Sequence, residues 1–216
     1  MVEEKFSWDK IAQAYAELLS KFSIYSNEDK PMRILIATPI LPPQLGGPAQ
    51  YAQNLLNEFL SLGQKAKVIS FGGYLRFPSG IRHLFYFGAL LKNGLRADLI
   101  FSLDYSSVGI PAALASLIQR KPLVIRVEGD FLWEKYVESG KGKITMTEFY
   151  SKGLYQVYPL SNWLAVFTLS WADFIAFTTS FQRDLFIQYF DLNSQKATIL
   201  DNVFEKKDGQ SVPYQE

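Results

Sequence analysis

The sequence predicts an α/β domain: a parallel sheet with helices on both faces, preceded by an amphipathic helix. Three observations predict it. Short apolar runs of strand length alternate with longer segments of helical period, and the connections between them are short. Of 216 residues, 48% are hydrophobic and 20% charged, which excludes a disordered chain. A chain of this size buries roughly 70% of its unfolded surface, so it needs no disulfide or metal to fold.

In chain order, residues 6 to 24 read as an amphipathic helix. Trp8, Ile11, Tyr15, Leu18 and Phe22 recur at steps of three and four. A polar tether, Ser26-Asn27-Glu28-Asp29-Lys30-Pro31, follows and ends in proline. The organisation expected is a helix and tether over residues 1–30, an α/β domain over 31–204 and a polar tail over 205–216. Residues 33 to 38 form an apolar strand suited to the middle of a parallel sheet. A loop rich in proline, with the pair Gly46-Gly47, leads to a helix over 49 to 62 that Gly63 stops. Residues 65 to 70 give a second strand.

The alternation continues with strands at 98–103, 123–127, 173–178 and 197–200 and helices at 108–120, 154–171 and 180–189. Pro111 falls in a first helical turn, where its missing N–H costs nothing. Residues 153 to 172 carry no formal charge, yet Gln156, Pro159, Ser161 and Asn162 argue for a buried or interfacial helix rather than a membrane span.

Composition excludes several function classes. There are 22 basic and 21 acidic side chains, a net charge of +1, so no nucleic-acid partner is expected. With no cysteine and the single histidine His83, thiolate chemistry and multi-histidine metal sites are out, and no metal is expected. Carboxylates, arginines, hydroxyls and backbone amides remain.

Open parallel sheets bind ligands beyond the carboxyl ends of their strands. Four such ends stand out. At the first, Gly46 and Gly47 allow close backbone approach to a phosphate or sugar, or serve the turn alone; no Walker or dinucleotide fingerprint is present. The second is Arg126-Val127-Glu128-Gly129-Asp130, where Asp130 can orient a sugar hydroxyl or take its proton. Arg126 there binds an anion or pairs with Glu128 or Asp130. At the third, Ser180 caps a helix or receives an anionic ligand. Asn202 at the fourth binds ligand or ties the turn. Separately, Lys65, Lys67, Arg76, Arg82, Lys92 and Arg96 stand against one acid, Asp98, in an aromatic-rich stretch. This stretch is either a membrane-surface candidate or a helix with a basic polar face.

The run from Met32-Arg33-Ile34-Leu35 through Pro42-Pro43 to Gly46-Gly47, with Leu55-Leu56 and Leu62-Gly63, resembles the opening of retaining GT-B glycosyltransferases of glycosyltransferase family 4. Ala172-Asp173-Phe174, Thr179-Ser180 and Leu200-Asp201-Asn202-Val203 resemble later markers of the same N-terminal domain, so the likeness covers residues 32 to 204. Where the family commonly has a histidine, this chain has Glu128.

The resemblance implies a Rossmann-like domain forming the acceptor-binding half of a transferase that moves sugar, with retention, from a nucleotide-sugar to a saccharide or lipid-linked acceptor. It implies a nucleotide-sugar co-substrate and no other cofactor. It also implies a C-terminal GT-B domain as partner, in cis or trans, without which this half is inactive. Phe6-Ser7-Trp8-Asp9-Lys10-Ile11-Ala12 resembles the family's final helix, here placed in front. Asp130 takes the catalytic role in this expectation, with Gly46, Gly47, Arg126, Glu128, Ser180 and Asn202 binding donor or acceptor. The location expected is cytoplasmic, peripheral to the inner face of a membrane. The alternative is a non-catalytic domain or partner subunit that binds sugar, nucleotide or lipid phosphate.

Overall fold

The computed structural model describes residues 8–22, 30–78 and 80–200. Its elements run α1 (Trp8–Ser20), β1 (Arg33–Thr38), α2 (Gly47–Ser61), β2 (Lys65–Ser70), α3 (Ile81–Gly94), β3 (Leu99–Ser102) and α4 (Gly109–Gln119). They continue with β4 (Leu123–Val127), α5 (Phe131–Glu138), α6 (Met146–Ser151), α7 (Pro159–Trp171), β5 (Phe174–Phe177), α8 (Ser180–Phe190) and β6 (Ala197–Ile199). The strands form one six-stranded sheet in the order β2-β1-β3-β4-β5-β6. Every neighbouring pair is parallel. The fold is therefore the Rossmann-like α/β sheet that the alternation predicts, with helices on both faces. Asn202 and the 205–216 tail lie outside the described residues, as do 26–29 of the tether.

Alternate residues of each strand feed two cores. Leu35, Ile100, Ile125 and Phe177 face a layer that includes α3, α4, α7 and α8. Ile34, Phe101, Val124 and Ala176 face α1 and α2. Strand β4 is buried along its whole length, and it reads as an apolar run interrupted only by Arg126.

Helix α1 docks on the second core through Tyr15, Leu18, Leu19 and Phe22, all buried. The Tyr15 ring meets Phe59 edge-on at 5.4 Å and Phe101 at 5.9 Å. Replacing Tyr15 by Ala should cost about 3–5 kcal/mol, the usual loss for a deleted core aromatic. Urea unfolding measures this, and an unchanged midpoint would mean that α1 contributes nothing to the domain.

Two aspartates fasten the sheet. A parallel strand's first amide lacks a partner unless something outside the ladder supplies one. Asp98, just before β3, accepts from the Arg33 amide at 2.9 Å and from its guanidinium at 3.0 and 2.6 Å. Asp173, just before β5, accepts from the Leu123 amide at 2.8 Å. The bonds from Arg33 hold the Asp98 carboxyl below its ordinary value. A depressed carboxyl contributes stability above its unfolded-state pKa and loses it as pH falls through the folded value. Asp98→Asn should therefore lower Tm at neutral pH and converge with the wild type in acid below the ordinary carboxylate range. Parallel Tm profiles at both pH values would contradict this.

Two details differ from the sequence reading. The expected helix over 154–171 is a 3-10 turn, Leu154–Val157, followed by α7 starting at Pro159, because proline fits a first turn but not a helix interior. Thr179, not Ser180, caps α8, its hydroxyl accepting from the Gln182 amide at 3.2 Å. The basic, aromatic stretch carries helix α3, in keeping with the helix reading given for it. No helix among the described residues is long and apolar enough to cross a membrane.

Candidate functional site

After β1 the chain moves outward to β2, then returns to the other side of β1 as β3. The connections leaving β1 and β3 therefore part, and a crevice opens beyond their carboxyl ends. Two hydroxyls shape this parting. Thr38 donates to the Ile40 carbonyl at 2.8 Å, and Ser102 to the Asp104 carbonyl at 2.8 Å. The resulting cleft has a volume of about 390 Å³. Pro39 and Pro48 line it from the loop after β1, and Asp104, Tyr105 and Ser106 from the loop after β3. Glu128, Gly129 and Glu134 line it from the turn after β4 and from α5. A smaller cavity of about 170 Å³ shares Tyr105, Ser106 and Phe131 with the cleft and adds His83, Ile110, Ser161 and Leu164.

The lining of the larger cleft holds three carboxylates and no cation. Each carboxylate has a structural bond. Asp104 Oδ1 accepts from the amides of Ser106, Val108 and Gly109 at 2.9, 3.0 and 3.0 Å, and Oδ2 accepts from the Ser107 hydroxyl. An internal carboxylate thus fills the N-terminus of α4, where a ligand phosphate would otherwise be favoured. Glu134 Oε1 accepts from the Asp130 amide at 3.2 Å. Partial burial and the nearby Asp130 charge push the Glu134 carboxyl up, against that bond. Glu128 pairs with Arg126 at 3.1 Å.

Arg126 is wholly buried, with its guanidinium carbon 3.6 Å from the centre of the Tyr51 ring. Tyr51 in turn shares a hydrogen bond with Tyr15. Burial pushes both phenols up, and the Arg126 cation opposes the shift. The guanidinium accordingly supports Glu128 from below while its own charge is met by an ion pair and an aromatic face.

Asp130 does not line the cleft. It is fully buried and caps α5, its Oδ1 accepting from the amides of Leu132 at 3.0 Å and Trp133 at 3.2 Å. Tyr105, which does line the cleft, donates to the same oxygen at 3.1 Å. Burial pushes the Asp130 carboxyl up, opposed by the hydroxyls of Tyr150 and Tyr105 and by the two amides.

The remaining expected residues scatter. Gly46 caps α2 with φ of 141°, a conformation that favours glycine, and Gly47 opens the helix with nothing within 4 Å of an added Cβ. Neither lines the cleft; their neighbour Pro48 does. Ser180 is exposed at the start of α8, away from the cleft lining. The sequence reading missed Asp104, Tyr105 and Glu134. The strand-end rule, applied to β3 as it was to β1 and β4, finds Asp104 and Tyr105.

A Cβ on Gly109 would stand 2.5 Å from the Asp104 carbonyl oxygen and 3.3 Å from Thr168. Gly109→Ala should therefore cost about 1–3 kcal/mol, as overpacking does. Gly47→Ala, facing open space, should stay within about 0.5 kcal/mol of wild type. Urea midpoints of the two variants test the contrast, and equal stability would refute it.

Fold and site together define a Rossmann-like domain with a cleft at the topological switch point of its sheet. No family model matches the chain, and no curated protein matches it. Among solved structures it is similar to the crystal structure of Anabaena Alr3699/HepE in complex with UDP and glucose. That structure is 17% identical with a TM-score of 0.46, over 81% of this chain and 45% of that one. The chain thus spans less than half the length of that structure.

Proposed function

We propose that this chain is the acceptor-binding half of a retaining glycosyltransferase, taking sugar from a nucleotide-sugar and passing it to a saccharide or lipid-linked acceptor. The observation that carries the reading is the switch-point cleft, whose lining offers carboxylates and hydroxyls but no cation. Glu128 and Glu134 suit hydroxyl donors, as a saccharide presents. A diphosphate would meet like charge on this wall, so the donor's phosphates belong against a second, cationic wall. The order of the markers from Met32 to Asn202 supports the same assignment.

In this reading Glu128 and Glu134 bind acceptor hydroxyls. Asp130 acts as a positioning residue, fixing the Tyr105 hydroxyl and the start of α5. Gly46 sets the entry to α2, while Gly47, Ser180 and Asn202 have subsidiary parts in binding donor or acceptor. Sugar transfer needs reactants held together and water excluded, which one wall does not achieve. A C-terminal GT-B domain, in cis or in trans, supplies the other.

Two measurements test this. The chain alone, given a panel of nucleotide-sugars and acceptors, should show no turnover; robust product would overturn the half-enzyme reading. An NMR titration with mono- and disaccharides should shift the amides of Gly129 and Glu134, and Glu134→Gln should weaken binding about tenfold, a loss of about 1.4 kcal/mol. Nucleoside diphosphate bound tightly in this cleft, with saccharides ignored, would overturn the acceptor assignment.

A further inference from the structure

Helices α3, α4 and α7 cover one face of the sheet, α3 packing on α4 and α4 on α7. Helices of a water-exposed layer normally turn large apolar residues inward and charges outward. Here Tyr86, Leu90 and Leu169 do turn inward, but large apolar residues face outward as well. Helix α4 buries Pro111, Ala112, Ala113, Ala115 and Ser116, and leaves Leu114, Leu117 and Ile118 at 38%, 39% and 62% exposure. Helix α7 buries Ala165, Thr168 and Leu169, and exposes Leu160, Trp163, Val166 and Trp171. On α3, Ile81, Leu84 and Phe85 are at least half exposed. Small inward residues let α4 approach the sheet closely, but they give no reason for leucines on the outside. Helix α2 on the opposite face exposes mainly polar residues, Gln50, Asn57 and Ser61, with Leu60 as its one exposed large apolar residue.

Charge gives the second observation. The three helices contain no aspartate or glutamate; their formal charges are Arg82 and Lys92. Arg96 follows α3, and Arg120 and Lys121 follow α4. At the end of α3 the apolar face meets a groove of about 590 Å³ that includes Lys65, Lys67, Lys92 and Arg96. The acids that follow these helices are engaged: Asp98 pairs with Arg33, and Asp173 accepts from Leu123.

We propose that the α3–α4–α7 face docks on an anionic lipid surface, its leucines and tryptophans entering the interface while the groove cations meet lipid phosphates. Apolar insertion and electrostatic attraction to anionic lipid are the two terms that hold a protein at a bilayer surface. Exposed tryptophan suits the headgroup region. A symmetric pairing of two copies would instead set the same basic border against itself. The cavity lined by His83, Ile110 and Leu164 lies among the beginnings of these same helices, so the face and the cleft share an edge.

The test is co-sedimentation of the full chain with vesicles of equal parts phosphatidylglycerol and phosphatidylcholine, compared with phosphatidylcholine alone. The chain should sediment with the anionic vesicles, with little on the neutral ones, and with a blue shift in tryptophan emission. Lys92→Glu with Arg96→Glu should weaken binding about tenfold or more. Leu117→Glu with Trp163→Glu should abolish the blue shift; all four positions are exposed, so melting should be unchanged. Failure of the wild type to bind anionic vesicles would overturn the proposal, as would binding that both double variants retain. A concentration-dependent dimer in analytical ultracentrifugation, lost in Leu117→Glu with Trp163→Glu, would overturn it in favour of a second copy. None of these results bears on saccharide binding in the cleft, which is measured without lipid.

Discussion

A guanidinium in the interior of a parallel sheet is the constraint around which this molecule is arranged. Removing such a charge from water is expensive, and the cost falls only if partners surround it. Arg126 has the face of Tyr51 at 3.6 Å and the Glu128 carboxylate at 3.1 Å. Each partner brings an element with it. Tyr51 fixes α2 and, through its shared hydrogen bond with Tyr15, adds a polar tie to the apolar docking of α1. Glu128 is the partner that reaches the cleft. One buried cation thus links an appended helix, the central strand β4 and the candidate site.

The same economy governs the site's anions. Carboxylates lie at the ends of β3 and β4, yet most of their capacity is spent inward. Asp104 closes the amides of α4, and Asp130 closes those of α5 and holds Tyr105. What remains for a ligand comes from Glu128 and Glu134. The wall is therefore rigid and pre-shaped, with few polar groups free to rearrange, a favourable basis for positioning a neutral polyhydroxylated molecule.

Much of the fold was legible because parallel strands write themselves as short, largely apolar segments between turn signals. Strands β1, β2 and β4 have the bounds their sequences predict. Helix α3 was legible only as one of two readings of its stretch and without bounds, since Ile81, Leu84, Phe85, Tyr86 and Leu90 surround its axis and leave no single apolar stripe to read. The site was legible in part. Glu128 and Asp130 stand at an evident strand end, but sequence does not tell a carboxylate that faces a cleft from one that caps a helix beneath it. Asp104 also follows a readable strand end, that of β3, whereas Glu134, inside α5, gains its place from the adjacency of β3 and β4, a relation that appears only once the strand order is known.

The aspartates that precede β3 and β5 also bear on how the chain assembles. Asp98 reaches Arg33 across 65 residues and Asp173 reaches Leu123 across 50. Neither fastening exists until the intervening helices, α2 and α3 for Asp98 and α5 to α7 for Asp173, have carried the chain back to the sheet. Contacts at such separation close late and cost loop entropy before they return any stability. During synthesis β1 can pair with β2 well before β3 emerges, leaving its other edge, the amide of Arg33 included, open in the interval. The apolar central strands make that open edge adhesive, so the interval between β2 and β3 is the stage at which a nascent chain of this kind is most exposed to pairing with a neighbour.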